Sequence, residues 1–487
     1  MPFHHTEFLR PAGEVLLLPT GPRDRRRVRA PRARSRASQT AKGIQQVKAL
    51  IYAFGSRGDI QPYLALAHAL TRAGHEAVLC ASANCESYAA DYGIEFIPRD
   101  DWIVKLQLED PVVQQVVMTT GDDLAQVPKD VRKAAIQKLK QVQDEVFPRL
   151  LKDMSDGAAA AGDVDVVIHP HNPLDHGHQI AEKLGVPSVI AALHPHFVPS
   201  GDYNSQLLKP GRTRSPWVNR LSHRLVPFFQ QKKKDIEAWR RETLGLPPRK
   251  GQHNRLVRAD GQPVTVLHGF SPHVITPSAD WPETVHNTGF WFLPAKPDWS
   301  PPAELVDFLE AGEKPVFVGF GSLRKGEPAD RGKIVMDAIR ASGHRAIVGT
   351  GWGGLEITDP PENVLVLDEV PYDWLFPRVR AAVHAGGTGT MNAALVAGVP
   401  QVACPFHLEQ LYWADLAHSH GVSTPPIRQS KLDVPTLAAA IRQATSDASL
   451  AENASRLAEK LRGEDGTATA VRVLEQVHAR HRAASAL

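Results

Sequence analysis

Two short stretches of the chain hold residue types whose spacing suits chemistry. The first is HAGGTGT, residues 384–390, set between the apolar RAAV and the helix-like MNAALVAG. A glycine loop that opens a helix presents free backbone N–H groups and the positive end of the helix dipole. That combination suits an anion, phosphate above all. No Lys follows the glycines, so the stretch is not a P-loop, and it does not read GxGxxG. Tight strand–helix packing would use the same glycines, so anion binding and packing stand level on this stretch alone. His384, just ahead of the loop, offers either an N–H to a phosphate oxygen or an ordinary strand-end hydrogen bond. The second stretch is the pair Glu409–Gln410. A carboxylate beside an amide supplies acceptors and donors at fixed angles, as sugar hydroxyls require; the pair also suits a cap for the helix that follows.

The elements that must position these groups alternate. VKALIYAF (47–54) reads as a buried strand. A helix is expected to start at Pro62 and end at Gly74, and EAVLCAS (76–82) follows as the next strand. IEFIP, DVDVVIHP and SVIAAL continue the series, with TVLHGFSPHVI (265–275) closing it. The pattern restarts with KPVFVGFGS (314–322), RAIVGTG, NVLVLDEV, RAAVHAG and QVACPF. Alternating strands and helices imply parallel sheets covered on both faces, with ligands at the strands' carboxyl ends. The expected organisation is an N-terminal domain over 47–280, a Pro- and Trp-rich linker over 281–299, and a C-terminal domain over 300–465. A last helix over 466–487 is placed to pack back on the first domain. Amphipathic helical stretches over about 102–150 and 200–260 suit the walls of a ligand cleft.

The chain has 487 residues and a formal net charge of +3. That charge is unevenly spread: residues 1–46 hold ten Lys or Arg against three Asp or Glu. The rest is mildly acidic, which argues against a nucleic-acid partner. The basic leader is expected to be disordered. Cys80, Cys85 and Cys404 form neither metal spacing nor an even disulfide set, so a reducing cytoplasm is the expected compartment. No run reaches the length of a membrane span, leaving peripheral membrane contact open. Asp163 and Asp165 form a DVD that suits either a metal or the opening of a strand, the latter being the better fit. The His-rich pieces at 169–179 and 193–197 suit a metal less than loops facing a cleft. His169, His171, Asp175, His176, His194 and His196 are therefore candidates for acid/base work or for orienting an acceptor.

Taken together, GSRGDIQP (55–62), GFSPHVI (269–275), DWP and TGFWFLP (280–294), PVFVGFGSL (315–323) and the block 384–414 carry a resemblance. The chain resembles the GT-B-fold, nucleotide-sugar-dependent glycosyltransferases, most of all the branch of sterol 3β-glucosyltransferases and bacterial antibiotic glycosyltransferases. The resemblance implies two Rossmann-like domains facing across a cleft. It implies a nucleotide-sugar donor as substrate, UDP-glucose by default, a hydrophobic small-molecule acceptor, and no cofactor or metal. It places the donor on Ser322, Trp352, Val370, His384, Gly387, Thr388, Gly389, Thr390, Glu409 and Gln410. Asp59 of GSRGD becomes the expected general base, with Ser56 and Arg57 beside it. An aspartate has a reference pKa of about 3.9 and needs apolar surroundings or late proton transfer for that work. Asp59 also suits a helix cap. Two features depart from the family: Val383 stands where a second His is common, and the Trp and the base His of plant members have no counterpart at their positions.

The expected reaction is inverting transfer of a hexose to a hydroxyl. The alternatives are a TDP-deoxysugar donor, a sugar-nucleotide epimerase, or a non-catalytic binding module on the same fold. An epimerase has no use for an acceptor cleft, and a binding module has none for an intact GSRGD.

Overall fold

A computed structural model describes residues 45–486 apart from 56, 102–127, 172–174, 206–207, 209–213, 230–232, 250–253, 297, 322–327, 352–354 and 407. Residues 46–487 make one compact unit. It contains two wholly parallel sheets, as the alternating pattern requires. The first runs β3-β2-β1-β4-β5-β6-β7. Its strands are β1 Lys48–Tyr52, β2 Glu76–Ser82, β3 Glu95–Arg99, β4 Val166–Pro170, β5 Ser188–Ala192, β6 Thr265–His268 and β7 Val285–Asn287. The second runs β10-β9-β8-β11-β12, from β8 Val316–Gly319, β9 Ala346–Gly349, β10 Val364–Leu367, β11 Ala381–His384 and β12 Gln401–Ala403. In each sheet the strand order reverses beside the first strand, between β1 and β4 and between β8 and β11. Such switch points open a crevice at the carboxyl ends of the strands.

Why these segments become central strands follows from their two faces. Along β1, Ala49 and Ile51 point to one side, onto Ile60, Leu64, Ala67 and Leu70 of the helix Arg57–Arg72. Leu50 and Tyr52 point to the other, onto Phe147, Leu151 and Met154 of the long helix Lys129–Ala161. A strand buried on both faces needs a continuous apolar run, and KALIY supplies it. In β8, Val316 and Val318 meet Val335 and Ile339 of the helix Pro328–Ser342, while Phe317 turns to Phe376 and Val399.

Two local expectations are corrected, and a third, the DVD as the opening of a strand, holds. The first helix starts at Arg57, not Pro62, so Pro62 lies inside it. Asp59 in its first turn stabilises the positive helix end, which allows the earlier start. The linker-like stretch supplies β7, which pairs in parallel with β6. Asp165 of the DVD has a strand-tying role: its Oδ2 accepts the backbone N–H of Lys48 at 2.9 Å.

The final helix, Gly466–Ser485, crosses to the first sheet and buries Ala470, Val471 and Leu474 in its core. Its entry depends on two glycines. A Cβ on Gly466 would strike the carbonyls of Phe290 and Gly289, backbone that has no rotamer to escape into. Gly289 itself has φ of 101°, a left-handed conformation that glycine adopts freely. A second bridge between the domains is apolar: Phe270, Val274 and Phe290 pack with Met391, Leu395, Tyr412 and Trp413. Among the described residues no helix is long and apolar enough to cross a membrane.

Two predictions concern stability. Gly466→Ala gains about 1 kcal/mol of helix propensity but overpacks against backbone, which costs roughly 1–3 kcal/mol. The denaturant midpoint is expected to fall, and an unchanged midpoint would show that the close approach carries no energy. The second concerns histidines at strand ends. Burial lowers His268 and His384 to about 4 and His171 to about 3. The unfolded chain therefore binds more protons than the folded one between those values and the ordinary pKa of about 6.5. Their contribution is whole above that value and lost as pH falls towards 4, at about 1.4 kcal/mol per pH unit for each histidine. Thermal stability should drop from pH 7 to pH 5; a constant or rising melting temperature contradicts this.

Candidate active site

At the β8/β11 switch point, β11 ends at His384 and the helix Thr388–Ala397 begins four residues later. Gly386 makes the turn with φ of 83°, and a Cβ there would crowd the carbonyl of Gln410 at 3.0 Å. Gly387, the N-cap, contributes no side-chain cap, and no acid lies in the first turn. A Cβ on Gly387 or Gly389 would meet nothing within 4 Å, so both face open space. Met391 N–H is the first to bond back, to the Gly387 carbonyl at 3.0 Å. The N–H groups just before it project at the positive end of the helix dipole, with no capping side chain bonded to them.

His384 is not the phosphate donor expected from its position. It is 1% exposed, and its Nδ1 accepts the Gly386 N–H at 2.9 Å. With Nδ1 accepting, Nε2–H donates to Gln401 Oε1 at 2.8 Å. Both ring nitrogens are thus engaged within the protein, and the histidine shapes the loop. Sequence reasoning missed Gln401. The available signal was a polar residue opening an otherwise apolar strand; it is fully buried.

Glu409 and Gln410 lie in the first turn of the helix Leu408–Ser419. Thr388 Oγ1 donates to Glu409 Oε1 at 3.2 Å, placing the carboxylate against the open helix end. Gln410 Oε1 accepts the N–H of Phe406 at 3.1 Å, so the amide also braces the β12 loop. Gly389 is exposed and Thr390 partly so. Val370 is half-buried in the loop after β10. Beside it, Tyr88 of the first domain donates to Glu369 Oε1 at 3.0 Å. Ser56, Ser322 and Trp352 lie outside the described residues, as does the Arg57 side chain.

Asp59 stands past the carboxyl end of β1, exposed, which leaves late proton transfer as the route open to it as a base. Its side chain lies on Gly55, where a Cβ would come within 2.7 Å of Asp59 Cβ and Cγ. Glycine at 55, with φ of 129°, leaves that place to the carboxylate.

The acceptor candidates divide into two groups. His169 is buried, with Nδ1 at 3.0 Å from the Pro170 carbonyl and Nε2 at 3.0 Å from Ser188 Oγ. Asp175 is buried, paired with Arg99 at 3.3 Å and accepting the Gly177 N–H at 3.0 Å. His176 is 3% exposed and set edge-on to Phe147. These three belong to the packing beneath the first sheet's switch point, because a carboxylate and an imidazole so enclosed need partners inside the fold. His194 and His196, past the end of β5, lie towards the second domain. His196 meets the ring of Tyr412 edge-on at 4.8 Å. Burial lowers the pKa of His194, and nearby Glu409 pulls it part of the way back. His196 and Tyr412 thus bring the segment after β5 against the helix that carries Glu409 and Gln410.

Residues 49–200 match the glycosyltransferase family 28 N-terminal domain. Residues 334–477 match the erythromycin biosynthesis protein CIII-like C-terminal domain. Sterol 3-beta-glucosyltransferase UGT80A2 of Arabidopsis thaliana is 32% identical over 88% of the chain and 65% of the relative. UGT80B1 of the same plant is 30% identical over 89% of the chain and 68% of the relative. The chain thus spans about two thirds of these relatives, and 26% of the sterol 3-beta-glucosyltransferase of Debaryomyces hansenii. The crystal structure of CalG4, the calicheamicin glycosyltransferase, superposes over 90% of the chain and 99% of its own. Its TM-score is 0.62 at 16% identity, a shared fold. The paired parallel sheets, the matched domain models and the plant relatives place this chain in the GT-B UDP-glycosyltransferase family, alongside the sterol 3-beta-glucosyltransferases.

Proposed function

We propose that the protein transfers a hexose, glucose from UDP-glucose, to a hydroxyl of a hydrophobic small molecule, with inversion at the anomeric carbon. The observation that carries this reading is the uncapped helix end at Thr388, open above Gly387 and Gly389 and flanked by Glu409. A diphosphate there would accept N–H groups fixed in advance by the fold, so charge developing on the leaving group is stabilised without reorganisation. Glu409 and the Gln410 amide would receive the hydroxyls of the transferred sugar. Val370 would lie against the base. The names of the plant relatives support glucose and a sterol-like alcohol.

In the chemical step, the acceptor oxygen attacks the anomeric carbon as the bond to the diphosphate oxygen breaks. UDP leaves with the bonding pair, and Asp59 takes the acceptor's proton. An exposed carboxylate is a weak base, so its proton transfer comes late, when the attacking oxygen has become acidic. Closure of a bound acceptor over Asp59 also removes water from it and raises its basicity.

Two predictions follow from these roles. With UDP-glucose and a panel of sterols, macrolides and phenolics, the wild type is expected to release UDP fastest with an apolar alcohol. Asp59→Ala should lower kcat by roughly 10²–10⁴. Full activity in that variant would refute the base assignment, and no transfer from any donor would refute the transferase reading. Gly389→Glu places a carboxylate in the first helical turn, which suits the dipole by about 0.3–1 kcal/mol but repels a diphosphate. The melting temperature should hold or rise while UDP affinity, by calorimetry, falls at least tenfold. Unchanged affinity would move the diphosphate elsewhere.

A further inference from the structure

The cleft wall beyond β5 is aromatic. Phe197 lies between His171 at 4.7 Å and His194 at 4.4 Å. His194 neighbours His196 at 5.6 Å, and His196 meets Tyr203 and Tyr412 edge-on. Tyr203 stacks on Trp281 at 5.6 Å, which abuts His268 at 4.6 Å. A wall of this kind offers apolar contact to a carbon skeleton. Its polar atoms are ring nitrogens and the hydroxyls of Tyr203 and Tyr412, that of Tyr203 already bonded to the Thr276 carbonyl. His196 Nδ1 faces the Asn204 carbonyl at 2.8 Å and must donate, which leaves Nε2 a bare lone pair, enclosed and without a partner. His268 is arranged likewise, Nδ1 to Asn287 Oδ1 at 3.0 Å with Nε2 bare.

His194 differs from both. Its Nδ1 is enclosed and has no partner. Its backbone is extended, and no described contact fixes which ring nitrogen carries the proton. Burial lowers its pKa, and the Glu409 carboxylate raises it part of the way back. An enclosed ring nitrogen left without a hydrogen bond is satisfied only when a ligand supplies the missing partner.

We propose that His194 receives the hydroxyl of the acceptor, an apolar alcohol lying along the Phe197–Tyr203–Trp281 wall, and so holds the attacking oxygen beside the sugar bound at Glu409. This rests on the transferase reading above and deepens it: His194 selects and orients the hydroxyl, and Asp59 remains the group that takes its proton. An unpartnered ring nitrogen in an apolar pocket also rejects the analogue without the hydroxyl, because that analogue leaves the nitrogen unpaired.

The test uses the full chain, with cholesterol and its hydroxyl-free analogue cholestane as probes in detergent micelles, binding read by tryptophan fluorescence. The wild type should bind cholesterol at least tenfold more tightly than cholestane. His194→Phe keeps an aromatic ring without the nitrogen and should bind the two equally. His194→Gln, which restores an acceptor atom, should recover part of the preference. In turnover with UDP-glucose, His194→Phe should raise the acceptor KM at least tenfold and leave UDP affinity within twofold. Equal binding of the two probes by the wild type, no binding of either, or an undiminished preference in His194→Phe would overturn the assignment. UDP titration and UDP-glucose hydrolysis in the same preparations report on the transferase reading separately.

Discussion

The hydrogen bond from the Gly386 N–H to His384 Nδ1 is the contact on which the candidate site turns. It bends the chain straight after β11, with Gly386 at φ 83°, and starts a helix with no side-chain cap. Gln401 holds the other ring nitrogen, so the imidazole cannot rotate away. Burial keeps the ring neutral, lowering its pKa to about 4, and a neutral ring is what lets Nδ1 accept. A protonated His384 would have no lone pair for Gly386. The open helix end proposed for the diphosphate is thus built on a histidine whose two ring nitrogens are both engaged within the protein.

The second domain would hold a donor by backbone groups, which suits a substrate common to a family. The first domain's wall is made of side chains, which suits an acceptor that varies. The two are joined by packing that leaves little slack. Met391 and Leu395 of the loop's own helix share an apolar cluster with Phe270 and Phe290 of the first domain, and the final helix buries itself in the first sheet's core. A shift of one domain against the other therefore moves the helix end and the acceptor wall relative to each other.

Much of the fold was legible because a parallel sheet leaves a plain trace: apolar runs, helices and glycine stops in strict alternation. β7 was hidden in a Pro- and Trp-rich stretch because a three-residue edge strand carries too little pattern. HAGGTGT and the Glu409–Gln410 pair were legible as candidates because each is local in sequence, and the Thr388–Glu409 hydrogen bond brings them together. The histidines were not so easily sorted. Residue type and strand-end position are the same for His169 and His194, but one is tied to Ser188 and the Pro170 carbonyl while the other makes no such bond. That difference is set by neighbours distant in sequence. Likewise, nothing local separates a His384 that donates to phosphate from one that accepts from Gly386; Gln401, seventeen residues on, decides it.

The most direct measurement is calorimetric titration of the protein with UDP, UMP and uridine. If the diphosphate is held at the open helix end, UDP binds well above UMP, and uridine weakest, with affinity tracking the phosphates. Equal affinity for UMP and UDP, or for uridine and UDP, would contradict the account: the helix end at Thr388 would then be packing, not a binding site.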